Sequence, residues 1–152
     1  MIPELQDGVL PEGLHFCTLE EVKVAFGQFR RSDRRPQLTE RLTRYVQDAR
    51  SSGVVSAIVI DGSYVTAKEE PGDIDLIVAL RPDFDLTAEM RPKEYNIQSK
   101  TMVRKLYGFD VLPAVDGSET YQRFLDFFSR VKLNDPDQKT SQERKGALRI
   151  EL

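Results

Sequence analysis

The sequence predicts an α/β domain, a mixed sheet of three to five strands with helices packed against it. Three patterns carry that prediction. Val54-Val55-Ser56-Ala57-Ile58-Val59-Ile60 is a seven-residue run rich in β-branched residues, the signature of a covered strand. A second apolar run, Leu76-Ile77-Val78-Ala79-Leu80, follows after a polar, glycine-containing gap. Before and after these runs, apolar residues recur at helical spacing, at 38, 42, 45, 46 and 49 and again at 121, 124, 125, 128 and 131, so each stretch offers one apolar face to a sheet.

The elements follow in chain order. Thr18-Leu19-Glu20-Glu21 is a capping box that opens a short helix ending near Gly27. Arg30 to Pro36 reads as a charged connector. A helix runs from Leu38 and stops at Gly53, where a glycine suits the left-handed cap. The strand at 54–60 leads into a turn, a brief irregular or helical piece to Lys68, and a second turn at Glu69-Glu70-Pro71-Gly72. The second strand spans about 73–80 and ends at Arg81-Pro82-Asp83. Residues 86–107 are interrupted by Pro92, beyond which Ile97, Met102, Val103 and Leu106 keep a helical spacing. A third strand carries Asp110 and ends at Pro113. Ser118 caps an amphipathic helix whose stripe is Tyr121, Phe124, Leu125, Phe128 and Val131. Asn134 to Arg144 is polar and expected to be mobile. Leu148, Ile150 and Leu152 alternate with Arg149 and Glu151, which predicts a terminal strand on a sheet edge or a segment that docks on a partner.

One constellation carries chemistry. Asp61-Gly62-Ser63 ends the first strand, and nine residues separate Ser63 from Asp73-Ile74-Asp75 at the start of the second. Successive side chains on a strand alternate faces, so Asp73 and Asp75 are expected to point one way and Ile74, Leu76 and Val78 into a core. Two carboxylates about 6.5 Å apart along a strand can share a hard cation, and magnesium is commonly held by one or two carboxylates together with substrate phosphates. A third acid, Asp110, lies within the apolar run Phe109-Asp110-Val111-Leu112. The pattern points to phosphoryl chemistry.

These residues resemble the signature of the polymerase-β-type nucleotidyltransferase superfamily: Gly62-Ser63, then Asp73-Ile74-Asp75, then Asp110 on a later strand. The string from Asp61 through Lys68 to Pro71-Gly72-Asp73-Ile74-Asp75 is closer still to small, stand-alone bacterial nucleotidyltransferase-like proteins. Leu10-Pro11-Glu12-Gly13-Leu14-His15 and Lys145-Gly146-Ala147-Leu148-Arg149-Ile150 extend that resemblance over nearly the whole chain. The residue before the glycine is usually apolar in that superfamily; here it is Asp61, a fourth acid to which the sequence assigns no role.

The resemblance implies a nucleotidyltransferase-type sheet and a reaction in which a nucleoside monophosphate moves from an NTP to a hydroxyl, releasing pyrophosphate. Asp73 and Asp75 would bridge two magnesium ions about 4 Å apart, with Asp110 completing the second site and accepting the nucleophile's proton. Gly62 leaves room for a triphosphate, the amides after it can donate to phosphate oxygens, and Ser63 adds a hydroxyl. Lys68 either reaches the β- or γ-phosphate or is an exposed turn lysine beside Glu69 and Glu70. Tyr64 reads as core in preference to a base-stacking face. The acceptor is left open between a protein, an RNA end and a small molecule. Small proteins of this kind often stand beside a toxin-like partner, so the enzyme is expected within a toxin–antitoxin or phage-defence system, with a non-catalytic or weakly catalytic antitoxin-like binding partner as the alternative; both a homodimer and a partner protein fit a chain of this size.

Composition sets the outer limits. The 152 residues, 39% apolar and 31% charged, suit one domain, 1–152, burying about 70% of its unfolded surface. Within it 1–36 reads as an N-terminal extension and 134–152 as a polar tail. Cys17 is the single cysteine and His15 the single histidine, which excludes an internal disulfide and a structural zinc site. No apolar stretch is long enough for a membrane span and the N-terminus lacks a signal-peptide profile, so the expected setting is the cytoplasm. The net charge of −3 disfavours strong binding of duplex DNA, but it is unevenly spread. Residues 28–50 hold seven arginines against three acids, and 120–149 hold seven Lys or Arg against four. Each of these reads either as a phosphate-facing surface or as a solvated helix face.

Overall fold

The computed structural model describes residues 1–85, 87–130 and 144–152. It is α/β, built on one five-stranded mixed sheet: β1 (Gly13–Cys17), β2 (Val55–Asp61), β3 (Asp75–Leu80), β4 (Asp110–Val115) and β5 (Gly146–Glu151). The spatial order is β1-β5-β2-β3-β4. β1 runs parallel to β5 and β4 parallel to β3, while β2 is antiparallel to both its neighbours.

Both faces of the central strands are covered, which is why their sequences read as continuous apolar runs. On one face, α1 (Leu19–Phe26), α2 (Arg34–Ser52), α3 (Pro92–Gln98) and α4 (Lys100–Tyr107) close the larger core around Ile58, Ile60, Ile74, Leu76, Val78 and Leu148. On the other, α5 (Glu119–Ser129) packs Tyr121 and Phe128 against Ala57, Val59, Ile77, Ala79 and Ala147. The alanines let the helix approach the sheet closely.

Several elements depart from the sequence expectation, each for a local reason. The connector read at Arg30–Pro36 is partly helix, because α2 begins at Arg34. Pro36 falls in its first turn, where a missing N–H costs nothing. Residues 92–107 form two helices. Pro92 opens the first, and Ser99 ends it while its hydroxyl caps the second by accepting from the Met102 amide. β4 continues past Pro113 to Val115, which an edge strand tolerates because it has an unpaired side. β3 begins at Asp75, so Asp73 lies just before the strand.

The largest departure is the C-terminal strand. It lies inside the sheet, with β1 on one side and β2 on the other, not at an edge. The N-terminal stretch accordingly supplies β1 and α1, and Leu10, Leu19, Val22 and Phe26 belong to the larger core. Val131 of the predicted helical stripe, and nearly all of the stretch from Asn134 to Arg144, lie outside the described residues. No helix among the described residues is long and apolar enough to cross a membrane.

The loop from β2 to β3 is anchored from beneath by Arg35. Its side chain is fully buried and its guanidinium donates to the carbonyls of Phe26 (3.1 Å), Tyr64 (2.7 Å), Thr66 (2.8 Å) and Lys68. It also lies against the rings of Tyr64 and Phe26, at 5.6 and 6.0 Å from their centroids. Burial, with Arg30 adding to it, pushes its pKa down to about 10, so it remains charged at neutral pH. Arg35→Met would strand several buried carbonyls, each costing ~1–3 kcal/mol unpaired. The expected loss of stability is therefore ~3 kcal/mol or more. Urea denaturation measures it, and a loss below ~1 kcal/mol would show that the loop does not depend on this residue.

Candidate active site

The register of three neighbouring strands builds the site. Asp61, the last residue of β2, pairs with Asp75, the first of β3, and Asp75 pairs with Asp110, the first of β4. Directly paired residues point to the same face, so the three acids form a row at one end of the sheet, on the face that α5 covers. Adjacent members of such a row stand about 5 Å apart at Cβ. Exposure rises along it: Asp61 is buried, Asp75 half-buried, and the Asp110 side chain 72% exposed.

Charge along the row is compensated unequally. Asp61 is held by Lys145, whose Nζ lies 2.9 Å from both carboxylate oxygens, and both side chains are buried. Burial pushes the Asp61 carboxyl above its ordinary range, while Lys145 and the Gly62 amide pull it back. This answers the role left open for Asp61: it joins the end of β2 to the entrance of β5. Asp110 meets Arg104 only loosely, at 3.7 Å.

The Gly62-Ser63 turn folds directly onto the Asp73–Asp75 segment. Gly62 has φ +92°, a conformation that L side chains avoid. A Cβ there would come within 3.1 Å of the Asp73 carbonyl and the Asp75 amide, and 3.3 Å of Asp75 Oδ2. The glycine is thus demanded by the protein's own backbone, before any ligand is considered. Asp73 Oδ1 accepts from the Ser63 amide (3.0 Å) and hydroxyl (2.7 Å). The same hydroxyl accepts from the amides of Gly72 (3.0 Å) and Asp73 (3.3 Å). The Tyr64 amide donates to the Asp73 carbonyl (3.1 Å). The amides expected to cradle phosphate are therefore engaged within the loop.

A cleft of about 730 Å³ opens over this arrangement. All six residues that the sequence singled out, Gly62, Ser63, Lys68, Asp73, Asp75 and Asp110, line it. So do four that sequence reasoning missed: Phe127 and Arg130 from the end of α5, Phe128, and Lys145. Tyr64 is fully buried, its hydroxyl 2.5 Å from Thr39 Oγ1, and takes no part in the cleft.

Among the described residues, no three His, Cys, Asp or Glu side chains stand close enough together to cage a metal ion. The described lining offers only carboxylate, hydroxyl and carbonyl oxygens, with no histidine or cysteine. That donor set suits a hard cation that arrives with phosphates and keeps much of its water, as magnesium does. It does not suit a resident metal held by the protein alone.

The chain matches the model of a family of unknown function, DUF6932, over residues 3–151, and it belongs to that family. No curated protein and no solved structure matches it. The family assignment carries no activity with it, so the chemistry rests on the geometry above.

The Asp61–Lys145 pair supplies a pH-dependent test. Lys145→Met leaves a buried carboxylate with no counter-ion, which typically costs ~3–5 kcal/mol. In the variant burial acts nearly unopposed, so the folded-state pKa of Asp61 rises further above the unfolded ~3.9. The folded state then binds the extra proton, and stability falls as pH rises through that folded pKa. Urea denaturation at pH 5 and pH 8 should show the larger deficit at pH 8, and Asp61→Asn/Lys145→Met should remove the difference. An equal deficit at both pH values would contradict the assignment.

Proposed function

We propose that this member of DUF6932 is a magnesium-dependent nucleotidyltransferase that moves a nucleoside monophosphate from an NTP to an acceptor hydroxyl and releases pyrophosphate. The observation that carries the reading is the register-aligned row Asp61-Asp75-Asp110 beside the Gly62-Ser63 turn in one cleft. Carboxylates aligned on neighbouring strands repel one another, and a site that gathers them has a cationic or proton-transfer use for them.

Residues of the chain divide the work. Ser63 would give its amide and hydroxyl, now on Asp73 Oδ1, to triphosphate oxygens, freeing that carboxylate to hold the cation. Asp75, in the middle of the row, would be the second residue to hold it. Lys68 and Arg130 line the cleft and neutralise the phosphate tail. Bound magnesium supplies Lewis-acid stabilisation of the charge that develops on the phosphate oxygens. The acceptor oxygen attacks the α-phosphorus as the bond to the β-phosphate breaks, and pyrophosphate leaves with that electron pair. Asp110, exposed at the mouth, takes the hydroxyl proton.

Two measurements test the reading. Magnesium with ATP should raise the melting temperature by linkage, and Asp75→Asn should abolish the rise while the protein stays folded. Gly62→Val should also abolish it, because φ +92° strains any side chain there and its Cβ crowds Asp73 and Asp75. A full shift in Asp75→Asn would refute the ligand assignment. Asp110→Asn should leave NTP affinity within about tenfold while transfer of labelled NMP falls by several orders of magnitude, as for a group acting in the transition state. Unimpaired transfer in that variant would remove Asp110 from the reaction.

A further inference from the structure

The arginine-rich stretch of α2 has no part in the reaction just described, yet half-buried Arg41 and exposed Arg44 reach the turn that leads into the exposed end of the acid row, from the sheet face opposite the one that α5 covers. Arg44 Nη2 donates to the Leu106 carbonyl at 3.0 Å, and its guanidinium lies 5.6 Å from the centroid of the Tyr107 ring. Arg41 Nη1 lies 3.2 Å from the position a Cβ would take on Gly108. From α4, Arg104 Nη1 donates to the Gly108 carbonyl at 3.4 Å and approaches Asp110 at 3.7 Å. Lys105 is exposed next to it. Four cations thus surround the turn between α4 and β4, which leads directly into Asp110. The acids facing them are Glu40, one helical turn before Arg44 and in the same groove, Asp48, which accepts from the Tyr107 hydroxyl, and Asp110 itself.

A protein of net charge −3 that gathers cations at one place raises the local potential for an anion. Arginine forks match phosphate oxygens in geometry, and a guanidinium over an aromatic ring is held ready for them. The patch adjoins Asp110, the exposed end of the row, so the acceptor's trailing chain crosses it when the acceptor hydroxyl reaches that carboxylate. On the cleft, at the same end of the sheet but on its α5 side, Phe127 is 60% exposed, a stacking face of the kind that single-stranded nucleic acid uses. An acidic polypeptide would use the charge and leave the ring without a partner.

We propose that the acceptor is single-stranded RNA, its 3′-terminal hydroxyl at Asp110 and its preceding phosphates on Arg41, Arg44 and Arg104. This rests on the nucleotidyltransferase reading. The RNA 3′ oxygen forms the new bond to the α-phosphorus, the bond to the β-phosphate breaks, pyrophosphate leaves with the electron pair, and the hydroxyl proton passes to Asp110. The product is RNA one nucleotide longer.

Fluorescence anisotropy with a 5′-labelled single-stranded RNA, run over a salt series, tests the surface. Arg41→Ala/Arg44→Ala should weaken binding by about tenfold at low salt and flatten the plot of log K against log salt by ~1.4, the loss of two phosphate contacts at ~0.7 each. Arg41→Lys/Arg44→Lys retains both charges and should retain most of the salt slope, which separates charge from folding. In the same tube, magnesium and ATP should lengthen RNA bearing a 3′ hydroxyl and leave 3′-deoxy RNA unextended though bound. The proposal is overturned if the wild-type protein binds no RNA, if the alanine variant binds with unchanged affinity and slope, or if polyglutamate binds more tightly than RNA. A magnesium–ATP melting shift without RNA binding rejects the RNA acceptor and leaves the transferase standing. RNA binding without any melting shift rejects the transferase, and the acceptor role with it.

Discussion

Three carboxylates in register across three adjacent strands are the constraint on which the rest of the site depends. Like charges directly opposed on a sheet are destabilising, and the cost grows as they leave water. The protein meets this by grading exposure along the row. Asp61, the buried member, receives a lysine that contacts both its oxygens. Asp110, the exposed member, is left to solvent and a loosely placed Arg104. Asp75 stands between them, flanked by an acid on each side. A cation at that point would lower the energy of the whole row, which is why the proposed function puts one at its centre.

The loop that closes over the row is held by internal bonds as well as by the burial of Tyr64, Val65 and Ile74 in the larger core. Arg35 grips its carbonyls from the core side, and Ser63 ties the turn to Asp73 from the cleft side. These two anchors act on opposite surfaces of the same short segment. The first contains a buried charge whose Nε has no hydrogen-bond partner among the described residues, so it is strong but incompletely satisfied. The second consists of bonds that phosphate oxygens can replace one for one. On the proposed reading, ligand entry would exchange the Ser63–Asp73 contacts while Arg35 keeps the loop's course unchanged.

How much of this the sequence disclosed depends on how local each signal is. The β-branched run, the helical stripe of α2, that of α5 as far as Phe128, and the caps Thr18 and Ser118 are read from a few neighbouring residues, and the structure has them. The six cleft residues were legible for the same reason, since turn and acids lie within one short stretch and Asp110 interrupts an apolar run. The partners that complete the site are remote. Lys145 meets Asp61 across 84 positions, and nothing in the residues around it distinguishes it from a surface lysine. Arg35 sat in a stretch whose charge suggested solvent, because burial by backbone carbonyls leaves no mark on the side chains nearby. The interior position of β5 was illegible in kind: alternation specifies one covered face, not which strands lie on either side.

The Asp61–Lys145 pair also bears on what the cleft does with charge. A buried ion pair is weak evidence of stability, since well-packed apolar residues would often serve the fold as well or better. Its placement is more telling than its strength. Lys145 lines the cleft while remaining buried, so its ammonium is fixed in a medium that screens it less than water does. An anion entering beside the row meets a positive charge already oriented, with no side-chain ordering left to perform. That is preorganised electrostatics of the sort that stabilises developing charge in a transition state. On the nucleotidyltransferase proposal the fourth acid would have a function that requires no contact with substrate: it would hold a lysine beside the reacting phosphates.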